Sequence, residues 1–245
     1  MKVSAIKTEK IMPNNKDLFS ILDRYVKVFP EKSILAITSK IVSICEGRVV
    51  KTEDADKKEL IKKEAEYFYH LEKSKYDLTL TIKNNMIIPN AGIDESNGNG
   101  YYILWPSNPQ KIANSVREHL RNRFSLKKVG VIITDSKTTP LRIGTTGVCI
   151  AHSGFSALKN YIGQPDIFGR KLKMTKANIM DALAVAAVAL MGEGNERLPL
   201  VIIEDIPFVK FQERNPSKTE LDELKISIED DLYAPLLKGV KWEKA

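Results

Sequence analysis

Apolar residues along this chain fall into short unbroken runs, separated by stretches with helical spacing. Ile34–Ile37 (ILAI) reads as a buried strand ending at Thr38 and Ser39, and Leu200–Ile203 as another. Val129–Ile133 (VGVII) is the clearest strand, with Gly130 inside it and Thr134, Asp135 and Ser136 at its end. Leu78–Ile82 alternates as a half-buried strand does, and Tyr101–Trp105 reads as a further strand. Asp54–His70 carries Glu and Lys at helical spacing and predicts a charged amphipathic helix. Pro109–Phe124 predicts a second helix with Ile112, Val116 and Leu120 on one stripe. A third spans Thr175–Met191, with Thr175 as N-cap and Gly192 as the stop. Its segment ANIMDALAVAAVALM is small and apolar almost all round, which predicts enclosure by protein on most sides.

Hairpin-like strand pairs mixed with strand–helix–strand units predict an α+β (mixed α/β) fold, not a doubly wound sheet. No repeat, low-complexity tract or Pro/Gly/Ser linker divides the chain. Residues 1–208 read as one domain, of two interleaved lobes at most. Residues 209–245 read as a C-terminal arm, in which Leu221, Leu224 and Ile226 form a docking helix or arm.

At 245 residues, 43% hydrophobic and 28% charged, the chain can bury a core as an ordinary globular protein does. Its longest apolar run, Ala182–Met191, is too short to cross a bilayer, and the opening MKVSAIKTEK lacks the apolar core of a signal peptide. Cys45 and Cys149 lie far apart, without CxxC or Cys/His spacing, so a reduced cytoplasmic setting is expected. The net charge of +7 raises nucleic acid as a partner. Lys57, Lys58, Lys62 and Lys63 sit beside acids, however, and no aromatic platform of the RNA-binding type is present. Anionic small molecules are the expected partners, with neither nucleic acid nor membrane.

Three polar clusters fall just outside the predicted elements: Asn90–Asn97, Thr134–Ser136 and Met191–Glu196. Each sets carboxylates beside glycine or a hydroxyl, an oxygen-rich pattern that suits Mg²⁺ or Mn²⁺. His70, His119 and His152 are isolated and offer no zinc site. Each cluster also has a plainer reading. Asp94 and Asn97 could build an Asx-type turn, Asp135 could cap a turn, and Glu193 could be an exposed residue past a helix end. Neither GxxxxGK[ST] nor GxGxxG after a strand occurs, although the MGEGNE turn could turn backbone N–H groups toward phosphate.

Together, six segments in order resemble the coenzyme F420-0:γ-glutamyl ligase family. They are ILAITSKIVSICEGRVV (34–50), AGIDESN (91–97), VGVIITDS (129–136), TPLRIGTTGVCIAHSGF (139–155), the spacing of Gly163, Asp166 and Gly169, and MDALAVAAVALMGEGNERLP (180–199). The resemblance implies that GTP or ATP phosphorylates a carboxylate of a folate-type or deazaflavin F420-0-type acceptor, and that the amine of L-glutamate attacks the acyl phosphate. It implies Mg²⁺ or Mn²⁺ at Asp94, Asp135, Ser136 and Glu193. Nucleotide contacts are implied at Met12, Pro13, Ser39, Lys40, Asn97 and the turn from Met191 through Gly192, Gly194, Asn195 and Glu196 to Leu198. Arg142 is an implied anion contact, acting with Asp94, Asp135 and Glu193 in catalysis. An intertwined homodimer with sites near the interface is also implied. The chain departs from the family pattern at Ile44, where a lysine is usual, and at Ile11-Met12-Pro13, where G-L-P is usual. GTP and ATP therefore both stay open. So does a metal-dependent nucleotide hydrolase, or a regulatory nucleotide binder, on the same fold.

Overall fold

The computed structural model describes residues 1–13, 17–70 and 76–245. Alternation within Ser33–Thr38 decides the architecture: Leu35 and Ile37 pack to one side, Ile34 and Ala36 to the other, and all four are fully buried. A strand buried on both faces needs a layer of helix above and below it.

In chain order the strands are β1 (Lys2–Ile6), β2 (Ser33–Thr38), β3 (Val49–Lys51), β4 (Tyr67–His70), β5 (Thr79–Lys83), β6 (Met86–Pro89), β7 (Tyr101–Ile103), β8 (Val129–Thr138), β9 (Thr145–Ser153), β10 (Leu158–Asn160), β11 (Lys176–Asn178), β12 (Leu200–Glu204) and β13 (Glu243–Lys244). The helices are α1 (Leu18–Tyr25), α2 (Ser39–Glu46), α3 (Lys57–Glu64), α4 (Pro109–Phe124), α5 (Ile179–Met191), α6 (Lys218–Asp222) and α7 (Ala234–Leu237). The central sheet runs β1-β12-β2-β8-β9, with β2 and β8 parallel and the other pairs antiparallel. A second, antiparallel sheet runs β13-β4-β5-β6, and β3-β7 and β10-β11 form two short ribbons. This is the mixed α+β architecture expected.

On one face of the central sheet, Leu35, Ile37, Val131 and Ile133 meet α1, α2 and α4 through Leu22, Val42, Val116 and Leu120. On the other, Ile34, Ala36, Ile132 and Val201 meet α5 through Leu183, Ala184, Ala187 and Val188. Gly147 of β9 lies so close to the backbone of Ala184 that any side chain there would overlap it.

The helix Pro109–Phe124 has the predicted bounds: Asn108 accepts from Lys111 N at 2.9 Å and Pro109 fills the first turn. Four expectations change. The charged helix ends at Glu64, not His70, because Tyr67–His70 alternates as a strand and pairs with β5. The apolar helix starts at Ile179, capped by Asn178 and not Thr175, since Lys176–Asn178 pairs with β10. It is not enclosed on most sides either: Ala182, Val185, Ala189 and Leu190 face outward, with Val185 43% and Leu190 40% exposed. Thr134, Asp135 and Ser136 lie inside β8, which runs on to Thr138, and not beyond its end. After residue 208 the chain forms α6 and α7, then adds β13 to the second sheet beside β4. Among the described residues, no helix is long and apolar enough to cross a membrane.

Burial also governs His152, which is 2% exposed in β9. Loss of water pushes its imidazole down from 6.5 to about 4, with the Glu220 charge opposing. The unfolded chain takes up this proton near its ordinary pKa, whereas the native protein takes it up only near 4. Stability is therefore complete above about pH 6.5 and is lost as pH falls toward about 4, by on the order of 3 kcal/mol from this group. Urea unfolding between about pH 7 and about pH 4.5 should show a shallower decline in His152→Gln than in wild type. An identical slope would place the loss elsewhere.

Candidate active site

The parallel strands β2 and β8 end their pairing at Thr38 and Thr134, and a cavity of about 990 Å³ opens there. Carboxyl ends of parallel strands are where ligand crevices form in such sheets. Residues from far apart along the chain line it: Thr8–Met12, Lys40, Ile41 and Ile44 of α2, Asp94, Asn97, Thr134–Ser136, and Val188 with Met191–Pro199. Helix α2 begins at this rim, and Thr38 makes no side-chain cap bond to it. Thr38 thus supplies no side-chain oxygen to the first-turn N–H groups.

Asp94 sits in a turn of the plainer kind foreseen. Its Oδ1 accepts from Ser96 N at 2.7 Å and its Oδ2 from Ser96 Oγ at 3.1 Å. The same carboxylate faces the cavity and pairs with Lys40 Nζ at 2.6 Å. Lys40 also donates to Ser96 O at 2.9 Å, which ties the 91–97 loop to α2. Burial raises the Asp94 pKa, but Lys40 and the Ser96 donors outweigh it, and the net shift is downward.

Asp135 behaves oppositely. Burial pushes its carboxyl up to about 6, against the lowering effect of hydrogen bonds from Trp105 Nε1 and, at 2.9 Å, from Ser136 N. The charge of Asp94 adds to the rise, and Lys40 offsets part of it. Two carboxylates that feel each other across one lysine form a site short of positive charge.

The third cluster closes the opposite wall. Gly192 ends α5 at φ 74, and its backbone passes so near the Glu196 carboxylate that a side chain would collide with it. Glu196 Oε2 accepts from Gly194 N at 2.9 Å, and Asn97 Nδ2 donates to Gly194 O at 2.9 Å, joining the second cluster to the third. Glu193 is exposed past the helix end and accepts from Thr145 Oγ1 at 3.3 Å.

Thus Asp94, Asp135, Ser136 and Glu193 share one cavity with Met12, Lys40, Asn97, Met191, Gly192, Gly194, Asn195 and Glu196. Ser39 is buried in the first turn of α2 behind it. Pro13 follows Met12 and is outside the lining. Arg142 lies in the turn between β8 and β9, exposed and outside the cavity, between Leu141 and Ile143, whose side chains are wholly open. Among the described residues, no three His, Cys, Asp or Glu side chains stand close enough together to hold a metal ion. Asp94, Asp135 and Glu193 each point to a different protein partner. A Mg²⁺-type seat needs only one or two carboxylates, with water and phosphate oxygens completing it. Asp94 and Asp135 fit that smaller demand.

Sequence reading passed over Thr8, Glu9, Lys10, Thr38 and Asn99, which also line the cavity, and Trp105, whose indole donates to Asp135. No pattern marks them, because they matter only through contacts made in the fold. Ile44 lines the wall at 6% exposed, apolar where the family pattern carries charge.

The family model for F420-0:Gamma-glutamyl ligase matches residues 5–205. A Methanosarcina mazei protein named coenzyme F420:L-glutamate ligase is 33% identical over 229 residues, 85% of this chain and 88% of the relative. One of the same name from Archaeoglobus fulgidus is 29% identical over 243 residues, covering 93% and 94%. A Methanococcus maripaludis relative, also so named, is 44% identical over 131 residues, covering 54% of this chain and 52% of the relative. The chain thus spans about half the length of the Methanococcus maripaludis relatives it matches.

Proposed function

The chain belongs to the F420-0:γ-glutamyl ligase family, and from that premise we propose that it joins L-glutamate to the carboxylate of a small acceptor at the expense of GTP or ATP. The acceptor is a planar heterocycle of the F420-0 or folate type. A cytoplasmic setting, where glutamate, nucleotide and Mg²⁺ occur together, is part of the same reading.

The charge balance of the cavity carries this reading. Among the described residues, five carboxylates line it (Glu9, Asp94, Asp135, Glu193 and Glu196) against three cationic side chains (Lys10, Lys40 and Arg197). The chain as a whole carries +7, so the acidic lining is a local choice. An acid-rich pocket repels a triphosphate unless a divalent cation enters with it. Asp94 and Asp135 would hold that cation, with Ser136 and Glu193 at its margin. When bound, Mg²⁺ or Mn²⁺ neutralises charge on the phosphoryl oxygens.

The protein's own groups do the rest. A carboxylate and an ammonium ion do not condense in water, so one acceptor oxygen must first become a leaving group. Transfer of the γ-phosphoryl to that carboxylate gives an acyl phosphate. The glutamate amine then displaces phosphate to form the amide. Such transfer depends mostly on position and charge. The start of α2 and the Lys40 ammonium face the phosphates, while the Gly192–Asn195 turn and Asn97 border the nucleotide.

The same reading includes a homodimer. Leu141 and Ile143 in the β8–β9 turn, and Ile167, Phe168 and Met174 between β10 and β11, are fully or nearly fully exposed apolar side chains, at 83% to 108%. Apolar arms of this kind fit burial against a second copy.

The deciding assay measures phosphate release with F420-0 or dihydropteroate as acceptor, with GTP or ATP, and with glutamate or Mg²⁺ omitted in turn. Ligation predicts release that needs nucleotide, metal, glutamate and one acceptor together. Turnover indifferent to glutamate would point to the nucleotide hydrolase, the reading that Ile44 in the cavity wall favours.

A further inference from the structure

We propose that Trp105 is a positioning residue that fixes the orientation of the Asp135 carboxylate for the cation; this rests on the reading of Asp135 as a metal ligand. Trp105 is 1% exposed, and its indole Nε1–H donates to Asp135 Oδ2. Ser136 N donates to the other oxygen at 2.9 Å. An ionised carboxylate has about four acceptor positions, so two donors lock its plane and leave a lone pair on each oxygen for a cation.

The indole cannot drift from this position. Gly92, at φ 73, leaves no room for a side chain against the ring: a Cβ there would overlap Nε1 and its neighbouring carbons. Arg48 Nε donates to Trp105 O at 3.1 Å, and Lys83 Nζ stands 5.6 Å from the ring centroid. Arg48 and Lys83 both end on Glu64, at 2.6 and 2.7 Å. The ring is thus clamped from β5, α3 and the 91–97 loop, and its polar edge meets one acid of the cavity. Structural packing alone would be satisfied by phenylalanine; the N–H is what packing leaves unexplained.

Mn²⁺ binding to the full chain, followed by water-proton relaxation with and without GTP, separates this inference from its premise. Trp105→Phe should weaken Mn²⁺ binding by about 10- to 100-fold while Asp135→Asn weakens it at least as much. Trp105→Phe binding Mn²⁺ as wild type does, beside a defective Asp135→Asn, overturns the positioning role and leaves the metal reading intact. Unchanged binding by Asp135→Asn, or none by wild type in either condition, overturns both. Should Trp105→Phe fail to fold, wild-type protein labelled with ¹⁵N at the indoles of Trp105 and Trp242 gives the second measurement. Mg²⁺ should move the Trp105 N–H resonance in the wild type and leave it in place in Asp135→Asn. A resonance unmoved at Mg²⁺ concentrations that saturate the site overturns the inference.

Discussion

Asp135→Asn should leave a folded protein whose glutamate-dependent phosphate release falls by about 10²-fold or more, measured as initial rates at saturating nucleotide and Mg²⁺. The amide keeps the shape of the side chain, and its carbonyl oxygen can still accept from Trp105 Nε1 or Ser136 N. What it loses is charge at the deepest point of the acidic wall, where neutralising the moving phosphoryl group depends on a bound cation. With Mg²⁺ saturating, the loss should appear in kcat, and because Asp135 also helps to hold the cation, the variant should need more Mg²⁺ to reach its maximal rate. Thermal stability should change by no more than about 1–3 kcal/mol, since relief of the buried charge is opposed by the one donor, Trp105 Nε1 or Ser136 N, that the amide's NH2 leaves unpaired. A rate within about threefold of wild type would remove Asp135 from the chemistry.

The same contrast between local pattern and tertiary contact explains how much could be read in advance. The strands Ile34–Ile37, Val129–Ile133 and Leu200–Ile203 were legible because central strands buried on both faces are continuous apolar runs. Helix α4 was legible to the residue because its cap, its Pro109 and its stripe agree. The charged helix was overextended because EDADKKELIKKEAE keeps helical charge spacing up to the break. Only the pairing of Tyr67–His70 with β5 ends it, and a partner strand is invisible to local spacing. Asn178 displaced Thr175 as cap for a similar reason: both are good caps, and the β10 pairing chooses between them.

At the site, the three acidic clusters stood out because polar residues interrupt apolar runs. That they border one cavity follows from the parallel pairing of β2 with β8 and the return of α5 beside them. The supports were not legible. Trp105 looks like the end of an apolar strand, Arg48 is only one position of a segment that carries the family resemblance, and nothing in the local pattern marks Lys83. Each gains meaning only from the Gly92 contact and from Glu64.

Lys40→Met is the second large expected effect, and it should divide nucleotide affinity from metal affinity. Methionine keeps the apolar stem but removes the ammonium that pairs with Asp94 at 2.6 Å and donates to Ser96 O at 2.9 Å. With Asp94 taken up by a cation, that ammonium becomes available to phosphate, for which a compact point charge is suited. Hydrogen bonds to charged groups contribute about 1.5–3 kcal/mol, so KM for GTP or ATP should rise by roughly 10- to 100-fold. Nucleotide-free Mn²⁺ binding should move the other way and tighten, because Lys40 and the cation compete for one carboxylate. Steady-state kinetics and metal titration on the same preparation read both quantities. If nucleotide affinity and Mn²⁺ affinity fell together, Lys40 would be a support for the 91–97 loop alone, since only loss of the loop's position weakens both at once.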